Sequence, residues 1–500
     1  MTTAERLRSY WGERQFEREA LTVLLARYWQ VIVIVAVVGL AAGLRLWGLG
    51  ERAIHHDESI HIKFAYDIAK GGVDRYVHDP VYHGPWQYFA IATIFKLPFF
   101  GDSDYTARLA PALLGIALVG LPLLLRRQLG TIGAFLAVAF LAFSPTLLYV
   151  SRFAREDIHA AFFTLAIAVC IWRYVAERRD GWLIAIAPLL AFSFAAKEIT
   201  FITVAILIVF LNYMVAADLV QQLRASRRMS AADTVVAYAA LLPTAWLIVA
   251  LWPLLETVRK RFSFTEMPAA GPLLIIVGTM AGPQYAPGIQ KLPFIGDEGY
   301  QVSEEQNLMR VSVLTLLFGS AYVGLLWNWR VWLIAAALFY VPYVLLFTSF
   351  FTHPAGFWTG IWGSMDYWLG QQLVRRGNQP DYYYFMLTPV YEFLPLVFAI
   401  GGTFYYAFRA KLEQILLSAA ALALVLVFSL MPESAPLVGE YHIQAAFVVA
   451  IAAVLFLSMD IFTKFLLFWV LSILFALTVA GEKMPWLSVH IALPLALLGA

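Results

Sequence analysis

The chain reads as an all-α polytopic membrane protein, and three observations say so. Hydrophobic residues make up 61% of its 500 positions and charged residues only 14%, far from the average of soluble domains. The mean hydropathy is +0.73, and apolar runs of about 20 residues, the length that crosses a bilayer as a helix, recur along the sequence. Lys and Arg gather in every second connecting segment, the asymmetry that sets orientation in a membrane.

Residues 1–28 form a charged, amphipathic arm carrying Arg6, Arg8, Arg14 and Arg18. Such an arm suits anionic lipid headgroups, though a plain positive-inside signal accounts for it equally. No small-residue cleavage pattern follows the first apolar run, which is therefore expected to stay as an anchor. A transmembrane domain then fills 29–500. Its spans are expected near 29–47, 106–125, 131–150, 158–176, 182–196 and 199–216, then near 233–254, 312–327, 331–350, 390–408, 413–431, 438–457 and 462–480. With a last helix starting near Ser488, the bundle has about 13 to 14 helices. The final apolar run, Leu487 to Ala500, is too short to cross, which points to a natural chain continuing past Ala500.

Arg126 and Arg127, Arg178 and Arg179, Arg227 and Arg228, Arg330, Arg409 and Lys411, and Lys464 fall on the side of the N-terminal arm. That side is expected to be the cytoplasm, the membrane being the plasma membrane. The other side receives outer loops 48–105, 255–311 and 351–389, together with Ser151 to Asp157, Lys197 and Glu198, and Glu482 to Trp486. In the first loop, Ser59 to Lys70 reads as an amphipathic helix and Pro85 to Leu97 as an aromatic-rich interfacial segment. Gly271 to Gly282 is apolar but too short to cross. It is expected to be re-entrant or interfacial, with Arg259, Lys260 and Arg261 outside.

The net charge of +2 is spread over short loops with no basic face, so no nucleic-acid role is supported. Cys170 is the only cysteine and lies in an apolar run, which removes disulfides and thiolate metal ligation.

Five segments carry polar chemistry. Ile54 to His61 holds Asp57 and Glu58 among three histidines; charges in lipid cost several kcal/mol, about 3 or more each, so this run lines a wet cavity or faces solvent. His83, in Tyr82-His83-Gly84-Pro85, either orients a substrate or is a plain hydrogen-bonding turn residue. In Ser151 to His159, the residues Arg152, Arg155, Glu156 and His159 share a face if the helix continues; a salt-bridged helix end is the simpler alternative. Lys197 and Glu198 sit between apolar runs and need a short outer turn or a polar cavity, unless Lys197 snorkels. The loop from Phe351 carries Asp366, Gln371, Arg375, Arg376 and then Gln379 to Tyr384, where rings such as Tyr383 suit a sugar or lipid headgroup or else form an interfacial belt. Finally, Glu482 and Lys483 enter an apolar helix as a charged pair.

The runs His55 to His61, Tyr82 to Pro85, Ser151 to Asp157, Gln379 to Tyr384 and Gly481 to Leu487 resemble the bacterial and archaeal flippase-associated membrane glycosyltransferase-like family, related to the dolichyl-phosphate-mannose protein mannosyltransferases. The resemblance extends over nearly the whole chain and implies the GT-C architecture. It also implies a polyprenyl-phosphate sugar donor, an extracytoplasmic first loop whose acid serves the reaction, here Asp57, and a second acid, Asp157.

Sugar transfer from a lipid phosphate needs a base at the acceptor hydroxyl, cations at the leaving phosphate and exclusion of water. Asp57 is the candidate base, with Glu58 and Asp157 beside it. Arg152, Arg155 and Lys197 are candidates for the phosphate, and His83, His56, Glu482, Lys483 and Tyr383 for the rest of the substrate. Direct attack inverts the anomeric centre. The acceptor is a protein, a lipid or a glycan. A divalent metal on Asp57, Glu58 and Asp157 stays open, as does zinc on the histidines. The competing readings are a transporter or lipid flippase component, and a noncatalytic partner of a transferase. A transporter would want a midplane site and repeated halves, neither of which is evident.

Overall fold

The computed structural model describes residues 27–290 and 302–500, except Leu373, Arg375, 433–434 and 436–438. The basic arm with Arg6, Arg8, Arg14 and Arg18, the stretch 291–301 of an expected outer loop, and Arg375 lie outside the described residues.

A helix stands at each expected span. Eight described helices are long and apolar enough to cross a membrane, or nine if the bent pair Tyr383–Tyr391 and Phe393–Tyr406 is one span. The smaller number has two causes. Two expected spans run together in Leu109–Phe143, interrupted at Gly130, whose φ of 74° no helix contains. Asp180–Phe194 and His442–Phe456 are apolar but short. The expected pair at 312–327 and 331–350 is Val302–Phe347, broken at Asn328, where φ is −158° and ψ 95°.

Burial divides the helices. Asp157–Glu177 and Ile199–Ser226 are enclosed over 83% and 72% of their most apolar windows, whereas Arg27–Leu46 and Leu412–Ser429 are enclosed over 11% and 0%. Helices apolar all round are either central or lipid-facing, and small residues decide for the first: Ala160, Ala161, Ala166 and Ala168 are buried and let neighbouring backbones approach closely.

Arg45 fixes the first helix to the bundle. Its guanidinium donates to the carbonyls of Ala142 and Leu141, each at 3.1 Å, and to Ser151 Oγ at 3.3 Å. It thereby holds the end of the short helix Pro145–Ser151, from which the polar run 152–157 emerges.

The first long loop, 48–105, holds two packed helices, His56–Gly71 and Trp86–Lys96, close to the sequence-based expectation. A second hydrophobic cluster including Ala65, Tyr76, Tyr88 and Ile91 joins them. His55 and Glu58 form a capping box at the start of the first, satisfying two backbone donors that a helix otherwise leaves open.

The region 255–311 departs from a single outer loop. The helix Asp157–Glu177 begins at the polar run and ends at Arg178, and Ile199–Ser226 likewise runs from Lys197 toward Arg227. Arg227 donates to the carbonyl of Arg261 at 2.9 Å, Arg178 donates to that of Ala269, and Ala269 N donates to Asp218 at 3.0 Å. Residues 259–269 therefore lie at the end opposite the polar run, and Arg259, Lys260 and Arg261 join the other basic loops. From there Gly271–Ala281 and the turn Gly282–Tyr285 run back through the bundle until Tyr285 OH reaches the Phe201 carbonyl at 2.7 Å. This segment is shorter than a lipid span because protein surrounds it. Its polar groups are met inside: Trp332 Nε1 donates to Thr279 Oγ1 and Tyr343 OH to Gln284 Oε1, both at 3.0 Å. Residues 227 and 259–271 thus stand at one end of the bundle, with Val249 against Gly271, and Tyr285 lies toward the other.

Candidate active site at one end of the bundle

A cavity of about 390 Å³ opens at the end that holds the polar run. Asp57, His61, His83, Arg155, Lys197, Glu198, Glu482 and Trp486 face it, from five separate stretches of chain.

At its centre one guanidinium joins two carboxylates. Arg155 donates to Asp57 at 2.9 Å and lies 3.8 Å from Asp157, while its plane stacks over Trp486 at 4.2 Å. Lys197 Nζ takes the other oxygen of Asp157 at 2.5 Å. Asp157 begins the 157–177 helix, where the helix dipole favours a negative charge. The side chain of Asp157 is 1% exposed and that of Asp57 31%. Of the two acids, Asp57 is thus the one an incoming molecule can reach.

A second wall pairs imidazoles with carboxylates. His83 Nδ1 lies 2.6 Å from Glu198. Burial opposes protonation of His83, but the charge of Glu198 and its hydrogen bond outweigh this and raise the pKa above the usual value. The loop reaches this place because Gly84 lies against the 195–198 turn: a Cβ on it would stand 2.1 Å from the Ala195 carbonyl oxygen, which accepts Trp86 N–H at 2.8 Å. His61 Nδ1 lies 3.1 Å from both Glu156 and Tyr88 OH. Tyr88 OH in turn donates to the Tyr82 carbonyl. Burial holds the His61 pKa below its usual value despite Glu156. At Glu156 burial works against the charge, but His61, His83, Arg155 and Lys197 together lower its pKa.

Other candidates from the sequence stand elsewhere. Both Glu58 oxygens are held by Arg108, at 2.7 and 2.8 Å, and also accept from Ala154 N and His55 N at 2.9 and 3.0 Å. Burial favours the neutral acid, but these bonds outweigh it and lower the pKa. Glu58 is a fully buried clasp between the first outer helix and the polar run, outside the cavity. Arg152 points away, donating to the carbonyls of Leu44 and Gly48 at 2.6 and 3.3 Å. The common face expected for Arg152, Arg155, Glu156 and His159 does not form, because the helix stops at Ser151 and restarts at Asp157. His159 instead accepts from Trp86 Nε1 at 2.8 Å.

His56 is exposed and off the cavity wall. Lys483 is buried and pairs with Asp381 at 3.1 Å. Tyr383 is buried and does not line the cavity, and its neighbour Tyr384 ties the loop at Met484 through its hydroxyl. Arg108, Glu198 and Trp486 had no role assigned from sequence. Glu198 carried a signal, as an acid beside Lys197 between apolar runs, and Trp486 lay in the motif run Gly481 to Leu487.

Asp57, Glu58 and Asp157 do not fit a shared metal. Glu58 is saturated by Arg108, the other two face Arg155 and Lys197, and among the described residues no group of three or more His, Cys, Asp or Glu is placed to hold an ion.

The family model described as dolichyl-phosphate-mannose-protein mannosyltransferase matches residues 82–247. No curated protein matches the chain in sequence. Among solved structures, the chain is similar to the archaeal oligosaccharyltransferase AglB from Archaeoglobus fulgidus in complex with an inhibitory peptide and a dolichol-phosphate: identity is 11%, TM-score 0.44, with 95% of this chain and 50% of that one covered. The oligosaccharyltransferase of that organism tethered to an acceptor peptide gives 12%, 0.45, 95% and 49%. ArnT from Cupriavidus metallidurans bound to undecaprenyl phosphate gives 15%, 0.30, 94% and 77%. The chain spans about half the length of the archaeal enzyme. Over residues 82–247, which hold His83, Arg155, Asp157, Lys197 and Glu198, the chain is similar to the dolichyl-phosphate-mannose-protein mannosyltransferases, and over that stretch the relation to those enzymes read from its motifs is supported.

Proposed function

We propose that this chain is a membrane glycosyltransferase that moves a sugar from a polyprenyl-phosphate donor to an acceptor hydroxyl on a protein, lipid or glycan, at the extracytoplasmic face of the plasma membrane. The supporting observation is the Asp57–Arg155–Asp157–Lys197 chain of charges at the cavity wall. Asp57 takes the proton of the acceptor hydroxyl. The acceptor oxygen bonds to the anomeric carbon as the bond from that carbon to the phosphate oxygen breaks, and the configuration inverts. The bonding electrons leave on the polyprenyl phosphate, whose charge Arg155 and Lys197 meet through charge-assisted hydrogen bonds. Asp157 holds both cations in place, and Trp486 keeps the Arg155 plane facing the cavity. Basic loops at the other end support a cytoplasmic N-terminus.

The test is Asp57→Asn in proteoliposomes with a panel of polyprenyl-phosphate sugars. Transfer falls by about 10²- to 10⁴-fold, the share of a general base, while expression and donor binding stay as in the wild type. Full activity in that variant, or net lipid movement across the bilayer with no glycosylated product, overturns the reading.

A further inference from the structure

A second cavity, of about 490 Å³, lies at the end of the bundle opposite the candidate site. It is a wedge between the end of the 199–226 helix, the helix Ala231–Ala250 and the short helix Glu256–Phe262. Asp233, Ala237, Ala240, Thr244 and Ile248 line its length, at intervals of three and four that keep them on one face. From Asp233 to Ile248 that face is about 22 Å long at 1.5 Å per residue, enough for an acyl chain of one leaflet, whose hydrocarbon is about 15 Å deep. Leu223, Leu241, Phe262 and Phe264 make the walls apolar.

The mouth is cationic. Arg227 and Arg228 line it, and Arg259, Lys260 and Arg261 follow on the short helix. Two acids beside it are engaged: Asp233 accepts from Ser230 N and Oγ at 2.9 and 2.8 Å, and Glu256 pairs with Lys260 at 2.6 Å. Arg228 is exposed and has no ion-pair partner among the described residues. Among the described residues, Arg227 donates to a backbone carbonyl, that of Arg261. A cationic mouth above a narrow slot as long as an aliphatic chain matches one molecule, an anionic phospholipid. A positive-inside signal needs the charges but not the slot.

We infer that this wedge binds an anionic phospholipid, its phosphate at Arg227 and Arg228 and one acyl chain along the 231–250 helix. The site is independent of the transferase reading.

The test uses the purified full chain in nanodiscs of mixed phosphatidylglycerol and phosphatidylcholine, with retained lipid counted by native mass spectrometry. Phosphatidylglycerol stays bound in preference to phosphatidylcholine. Arg227→Gln with Arg228→Gln lowers that retention by about 30-fold, taking each basic group at its usual share near an anionic surface. Ala240→Trp fills the slot, alters no charge and lowers retention as well. Equal retention of the two lipids overturns the proposal. So does an Ala240→Trp variant that keeps wild-type retention, since surface charge alone then accounts for the binding.

Discussion

Replacing Lys197 by Met tests the centre of the site without assuming its chemistry. The ammonium stands 2.5 Å from Asp157, with side chains 5% and 1% exposed, so Met leaves a carboxylate in the interior with one cation fewer. Removing one partner of a buried pair costs about 3–5 kcal/mol. Arg155, 3.8 Å from the same carboxylate, offsets part of this and places the loss near the lower end, about 3 kcal/mol. Lys197→Met with Asp157→Asn removes both charges and should return to within about 1–2 kcal/mol of the wild type, because well-packed neutral replacements of buried pairs are nearly neutral. The assay is equilibrium unfolding in detergent for wild type, both single variants and the double, read as a double-mutant cycle. Additive single effects, or a single-variant loss under about 0.5 kcal/mol as for surface pairs, would refute the buried pair. Sugar transfer is expected to be lost in all three variants.

Arg152→Gln is expected to keep transfer within about twofold of the wild type, as its guanidinium serves the carbonyls of Leu44 and Gly48 and a surface hydrogen bond contributes little; Arg155→Gln, compared in the same assay, should be inactive. The His83–Glu198 pair should make stability depend on pH. The His83 pKa is raised above 6.5 in the folded protein, so the pair's contribution is full below the unfolded value and is lost as pH rises through the folded one. The stability gap between wild type and Glu198→Gln should therefore shrink as pH rises above about 6.5, measured by thermal unfolding; a gap that widens counts against the pairing.

The helices were legible because each is a continuous apolar run, and their ends because Lys and Arg mark alternate loops. Asp57, Asp157 and Lys197 were legible for a related reason: a charge beside such a run must find a partner or water. The clasp of Glu58 by Arg108 was not, since its members are 50 residues apart and Arg108 looks like any interfacial arginine. Arg152 and Arg155 looked equivalent because helical spacing was carried across Phe153 to Glu156, where the chain turns out of the helix and the two side chains part. The place of residues 259–269 was hidden because an apolar run such as 231–250 reads as a span whichever end of the bundle the residues after it occupy.

The interior course of residues 271–285 bears on how the molecule is made. Eleven residues, Gly271–Ala281, are too few to partition into lipid as they leave the ribosome, since a stable insert needs about 20. Their backbone leaves water only once helices 180–194, 199–226 and 302–347 stand around them, and the last of these is synthesised afterwards. Biogenesis must therefore keep this piece waiting at the membrane boundary until its final neighbour arrives, so that late assembly, not stepwise insertion, completes the centre of the protein.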